Sequence, residues 1–128
     1  MNILIITQYF WPENFRINDL AVSLSGRGHQ VTVLTGTPNY PEGKFFKGFG
    51  WFKKNTDVYK GVKICRVPII PRGQGSKILL TFNYISFVIS ASIFGPIFCR
   101  QKADLIFVFE PSPITVAIPA ILLKKIKK

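Results

Sequence analysis

Acidic residues are scarce in this 128-residue chain: six Asp and Glu stand against seventeen Lys and Arg, a formal charge of +11. Such a surface is suited to phosphate, carried by nucleic acid or by an anionic membrane. Histidine is rarer still. The only one, His29, falls in a turn before a strand, at the end of the sheet opposite the expected site, and no His/Asp/Ser arrangement supports nucleophilic catalysis. Two cysteines, Cys65 and Cys99, lie too far apart in sequence for a zinc site or a disulfide scaffold and suit a reducing compartment. The glycines of a dinucleotide fingerprint are missing after the first strand, which argues against a dehydrogenase. Repeats and low-complexity tracts are absent, and the short N-terminal apolar run lacks the positive leader of a secretory signal.

What is there is enough for one core, since 48% of the residues are apolar in a length typical of a single domain. Residues 1–36, MNILIITQYFWPENFRINDLAVSLSGRGHQVTVLTG, read as one βαβ unit. Residues 2–7 are a β-branched apolar run suited to a strand buried on both faces. Ile17, Leu20, Ala21 and Leu24 then recur at helical spacing, with Pro12 and Glu13 expected in the first turn and Gly26 and Gly28 at the end. Residues 30–35 return as a second, parallel strand through a right-handed crossover. Ligands bind beyond the carboxyl ends of strands in such sheets, so residues 8–16 and 36–43 are the loops to watch.

Charge is unevenly spread: residues 1–35 are neutral, 36–77 carry +7 and 100–128 carry +4, with none in 78–99. The turn-rich TGTPNYPEG is either a surface turn or a ligand loop. After it, Lys44, Lys47, Lys53 and Lys54 interleave with Phe45, Phe46, Phe49, Trp51 and Phe52. Exposed, these residues could stack on single-stranded nucleic acid or lie at lipid headgroups; otherwise they fold back on the sheet with the lysines in water. A turn at 59–61 precedes a third strand, 62–70, which Pro68 places at an edge. Residues 78–99, 22 without a charge, are open to three readings: a membrane span, a buried crossover helix, or a helix in the membrane interface. Asn83, Tyr84, three serines and Gly95-Pro96 count against the span, the last by interrupting the helix. A fourth strand, 104–109, ends at Glu110, and Ser112-Pro113 starts a helix whose N-terminus could meet an anion, or could simply be capped. That helix, apolar from Ile114 to Leu123, is expected to kink at Pro119 and to finish in lysines. The result is a Rossmann-like, doubly wound parallel α/β sheet of strand order 3-2-1-4, with strand four left as an open edge.

Three segments carry a resemblance: MNILIITQYFWPEN, GRGHQVTVLTGTPNYPEG, and GVKICRVPIIPRG followed by NYISF. Together they resemble the N-terminal domain of retaining GT-B glycosyltransferases of family 4. The similarity is greatest to the bacterial branch that builds O-antigen and colanic-acid-type polysaccharides, fucosaminyltransferases included. GRGHQVTVLT recurs across many glycosyltransferases, whereas TPNYPEG with VPIIPRG and NYISF is narrower. The resemblance spans essentially the whole chain and implies that residues 1–128 are the acceptor-side domain, still incomplete. A following strand with an aspartate-leucine-tryptophan-proline motif is expected after Lys128, and a second domain would hold the nucleotide sugar.

Carried over by position, the resemblance implies that Glu13, Asn14, Arg16, Asn39 and Tyr40 line an acceptor cleft. Where the family has small residues or a glycine pair in the first loop, this chain has Asn14-Phe15, so no donor phosphate is assigned there. The implied reaction is sugar transfer, with retention, from a nucleotide donor to a lipid-linked saccharide at the inner face of the cytoplasmic membrane. No metal or other cofactor is implied, no catalytic residue lies in this chain, and no nucleic acid is expected. Lys44, Phe45, Phe46, Lys47, Trp51, Phe52, Lys53 and Lys54 would then touch the anionic leaflet. Two rival readings are a nucleic-acid-binding module built on residues 44–54 and a small membrane protein spanning through 78–99.

Overall fold

The computed structural model describes residues 1–109 and 117–126. Their elements run β1 (Asn2–Ile6), α1 (Arg16–Gly26), β2 (Gln30–Gly36), β3 (Thr56–Tyr59), β4 (Val62–Val67), α2 (Lys77–Phe98), β5 (Leu105–Val108) and α3 (Ala117–Ile126). The sheet order is β3-β4-β2-β1-β5. The central β1 pairs in parallel with β2 and β5, and β2 with β4. These four strands stand in the order expected from the sequence.

β3 is the departure. It pairs antiparallel with β4, so the sheet is mixed rather than wholly parallel. Lys60 (φ 47°) and Gly61 (φ 82°) both adopt left-handed backbone between Tyr59 and Val62. Two such residues are what a type I′ hairpin turn requires. Because β3 takes the edge, β4 is interior, contrary to the inference from Pro68. The strand stops at Val67, so the proline never has to donate to the ladder.

Alternation along the strands feeds two cores. Ile3, Ile5, Val31, Val33, Val62 and Ile64 face α1, meeting Ile17 and Ala21. Leu4, Ile6, Leu34, Cys65 and Val67 face α2 and α3, meeting Phe87, Ala91 and Leu123. Each large aliphatic side chain buried here contributes about 1.5–3 kcal/mol. Leu20, placed on the inner side of α1 by spacing alone, is 40% exposed. Helix α1 begins at Arg16, so Pro12 and Glu13 belong to the loop before it rather than to its first turn.

Helix α2 runs unbroken over 22 residues, including Pro96. The expected interruption does not occur: the helix continues through Pro96 to Phe98, forgoing the bond to Ser92 in its last turn. Its buried stripe is Asn83, Phe87, Ala91 and Gly95, four residues apart. Gly95 allows a close approach: a Cβ there would stand 3.0 Å from Leu34 and 3.3 Å from Leu123, tighter than ordinary contact. The opposite side carries Ile78, Phe82, Ile85, Ile89, Ile93 and Ile97, between 48% and 70% exposed. The helix is long and apolar enough to cross a membrane, yet one stripe of it is committed to the sheet. Helix α3 is described from Ala117 and contains Pro119; the start expected at Ser112-Pro113 lies outside the described residues.

Candidate functional site

Two loops leave the carboxyl ends of β1 and β2 side by side, residues 8–15 and 37–43. A single carboxylate joins them. Glu13 Oε1 accepts from the Phe10 N–H (3.2 Å), and Oε2 accepts from the N–H groups of Asn39 (3.0 Å) and Tyr40 (2.8 Å). Its own carbonyl accepts from Asn18 Nδ2 on α1 (2.7 Å). The side chain is 1% exposed. Burial pushes the Glu13 carboxyl up to about 7, although three N–H donors and the nearby Arg66 charge favour ionisation.

A second knot ties these loops to α2. Asn83 Oδ1 accepts from Gln8 Nε2 (2.6 Å) and from the Tyr9 hydroxyl (3.0 Å), while Asn83 Nδ2 donates to the Ile70 carbonyl (2.7 Å). Burial pushes the Tyr9 hydroxyl well above its usual range, so it stays a neutral donor. Gln8 Oε1 is buried without a hydrogen-bond partner among the described residues. Tyr9 stacks on Phe15 (5.2 Å), and both rings meet Tyr40. Arg72 closes the group, with its guanidinium 4.9 Å over the Tyr40 ring and Nη1 3.4 Å from the Tyr9 hydroxyl. Beside Arg72 and the start of α2 lies a hollow of about 250 Å³ lined by Gly75, Ser76 and Lys77.

Arg66, on β4, ties the basic aromatic segment to the same frame. Its side chain is 1% exposed and reaches Asp57 (3.1 Å), the Trp11 carbonyl (3.0 Å) and the Phe49 ring (4.7 Å). Slight burial of Asp57 raises its carboxyl, but the Val58 N–H and Arg66 outweigh this and hold it below the usual carboxylate range. Phe49 is therefore folded inward, under Lys54 and Arg66. Trp51 and Phe52 are turned out, 55% and 62% exposed.

The site residues expected from the sequence thus divide. Asn14 and Arg16 are exposed and Tyr40 is half-buried, so these three can meet a ligand. Glu13 and Asn39 are buried and bind backbone: Asn39 Nδ2 donates to Thr37 and its Oδ1 accepts from the Arg72 N–H. Through these bonds both residues hold the two loops together. Lys44, Lys47, Lys53 and Lys54 are exposed, whereas Phe45 and Phe46 are half-buried. Glu110 and Ser112 lie outside the described residues.

Sequence reasoning missed Tyr9, Arg66, Arg72 and Asn83 as parts of this frame. Asn83 had left a signal, because a lone amide in a long apolar helix needs a buried partner. Among the described residues, no three His, Cys, Asp or Glu side chains come together to hold a metal ion. No protein-family model matches the chain, and no curated protein matches it. The class defined is accordingly that of the fold: an α/β domain with a mixed five-stranded sheet, consistent with a Rossmann-like arrangement.

Proposed function

We propose that this chain is the acceptor-side portion of a retaining, GT-B-type glycosyltransferase that moves a sugar from a nucleotide donor to a lipid-linked saccharide in bacterial surface-polysaccharide synthesis. In this reading it sits peripherally on the inner face of the cytoplasmic membrane. A separate domain holds the nucleotide sugar and supplies catalysis.

One observation carries the reading: Asn83, on the inner side of α2, is bonded to Gln8 and Tyr9 of the first strand-end loop. The helix whose outer side is isoleucine is therefore bolted to the loops expected to meet the acceptor. A lipid-linked saccharide has the same two-part character, a polar head for the loops and a tail for the apolar phase. In this reading Asn14, Arg16, Tyr40 and Arg72 meet the head; the first two are exposed, and Arg72 brings charge to the adjacent hollow. The membrane reading is favoured over nucleic acid because the aromatic side chains of the basic segment do not form a stacking run. Phe49 is folded under Arg66, and Phe52 is packed on Phe94.

The test is a titration of the ¹⁵N-labelled chain followed by NMR, using a farnesyl-diphosphate-linked N-acetylhexosamine in one arm and UDP-N-acetylhexosamine in the other. Shifts at Asn14, Arg16, Tyr40 and Arg72 in the first arm alone are expected. Shifts with the nucleotide sugar alone, or with neither probe, would overturn the assignment.

A further inference from the structure

Between the outer side of α2 and the basic aromatic segment lies an apolar groove of about 340 Å³, lined chiefly by Trp51, Phe52, Ile69, Ile89, Ser90 and Phe94. It is built rather than incidental. The Trp51 indole N–H is spent on the Ile69 carbonyl (2.6 Å), so that only apolar ring surface is left for the groove. Phe52 takes left-handed backbone (φ 57°), uncommon for a residue with a bulky side chain, and meets Phe94 edge-on at 5.7 Å. Lys54, two residues on, is left-handed as well (φ 50°). Backbone of this kind persists only where its surroundings impose it.

The segment that supplies the outer wall carries charge of one sign. Residues 44–54 hold four lysines and no acid, and α2 carries no charge between Lys77 and Arg100. An apolar slot beside lysines is complementary to a molecule with a hydrocarbon chain and an anionic head. The geometry points to a specific occupant: one acyl chain of an anionic phospholipid, drawn from the leaflet into the groove while Lys53 and Lys54 meet its headgroup. This rests on the peripheral membrane placement above and adds a discrete lipid site to it. Trp51 and Phe52 form the outer wall, and Ile89 and Phe94 the inner one.

Trp51 is also the reporter. The chain has two tryptophans, and Trp11 is stacked on Tyr59 elsewhere, so Trp11→Phe leaves Trp51 alone. This variant is mixed with phosphatidylglycerol vesicles whose acyl chains are brominated at mid-chain, with the same lipid unbrominated, and with brominated phosphatidylcholine. Loss of most Trp51 emission is expected only with brominated phosphatidylglycerol. Adding Ser90→Phe, which fills the groove, should restore emission while vesicle co-sedimentation persists. Phe52→Ala removes a wall from an exposed position and should weaken quenching in the same way.

Co-sedimentation without quenching, or quenching that neither second change reduces, would overturn the lipid site and leave peripheral binding standing. Failure to co-sediment would remove the peripheral reading and this site with it. A blue shift of Trp51 that rises with protein concentration without lipid, together with a dimer in sedimentation, would assign the groove to a second copy and overturn the proposal.

Discussion

Helices α1 and α2 cover opposite faces of one sheet, yet their outer sides differ. Beyond Ile17 and Ala21, α1 offers Arg16, Asp19 and Ser23 to solvent, the usual amphipathic arrangement. Beyond Phe87 and Ala91, α2 offers a ridge of isoleucine and phenylalanine. α3, packed beside it through Leu123 and Gly95, adds exposed Ile118, Ile121 and Ile126. A helix that only had to cover a sheet could have been polar outside, as α1 is. Exposed apolar area of this extent is what the proposed membrane contact would cover.

The inner and outer sides of α2 should respond very differently to truncation. Phe87→Ala should cost about 3–5 kcal/mol in urea denaturation, because a fully buried ring is lost and a cavity remains. Ile93→Ala, on the exposed side, should stay within about 0.5 kcal/mol. Equal losses would mean that the outer side is already covered in solution.

Next in size is the clamp between the two strand-end loops. Glu13→Ala leaves three backbone N–H groups without their acceptor and should cost about 1–3 kcal/mol or more by the same measurement. The pH dependence has a definite sign. With its carboxyl pushed up to about 7, folded Glu13 retains a proton that the unfolded chain releases near its ordinary, lower pKa. Its contribution is therefore full below the unfolded pKa, declines as pH rises towards about 7, and is flat above it. Glu13→Gln should remove that slope from a plot of stability against pH. A slope left unchanged would place the titration elsewhere. Single exposed lysines act on association rather than stability: Lys53→Ala or Lys54→Ala should weaken association with anionic vesicles by about 1 kcal/mol each, roughly fivefold, measured by co-sedimentation at low salt.

Much of the scaffold was legible because buried parallel strands announce themselves. The runs at 2–7, 30–35, 62–70 and 104–109 read as four strands, and their alternation with helices gives their order. The third stops at Val67, and the fourth is only half-buried at the sheet edge. Four-residue β3 was not, since TDVY is too short for a period to register, although Lys60-Gly61 is a hairpin signal read only as a turn. Pro68 misled because its rule applies inside a ladder, and β4 ends one residue earlier. Glu13 misled for a different reason. An acid just before a helix is an ordinary first-turn residue, and only the meeting of residues 39–40 with the first loop, 26 positions away for Asn39, makes it a buried clamp. The outer side of α2 was not decidable from composition, because buried, interfacial and spanning helices share it.

The most direct measurement is flotation of the intact chain with phosphatidylglycerol vesicles, beside the double variant Ile85→Glu with Ile93→Glu, followed by alkaline carbonate. The native chain is expected to float at low salt and to be released by carbonate, and the double variant to remain folded but no longer float. A native chain that stays in solution, a double variant that still floats, or retention in the bilayer after carbonate would contradict it.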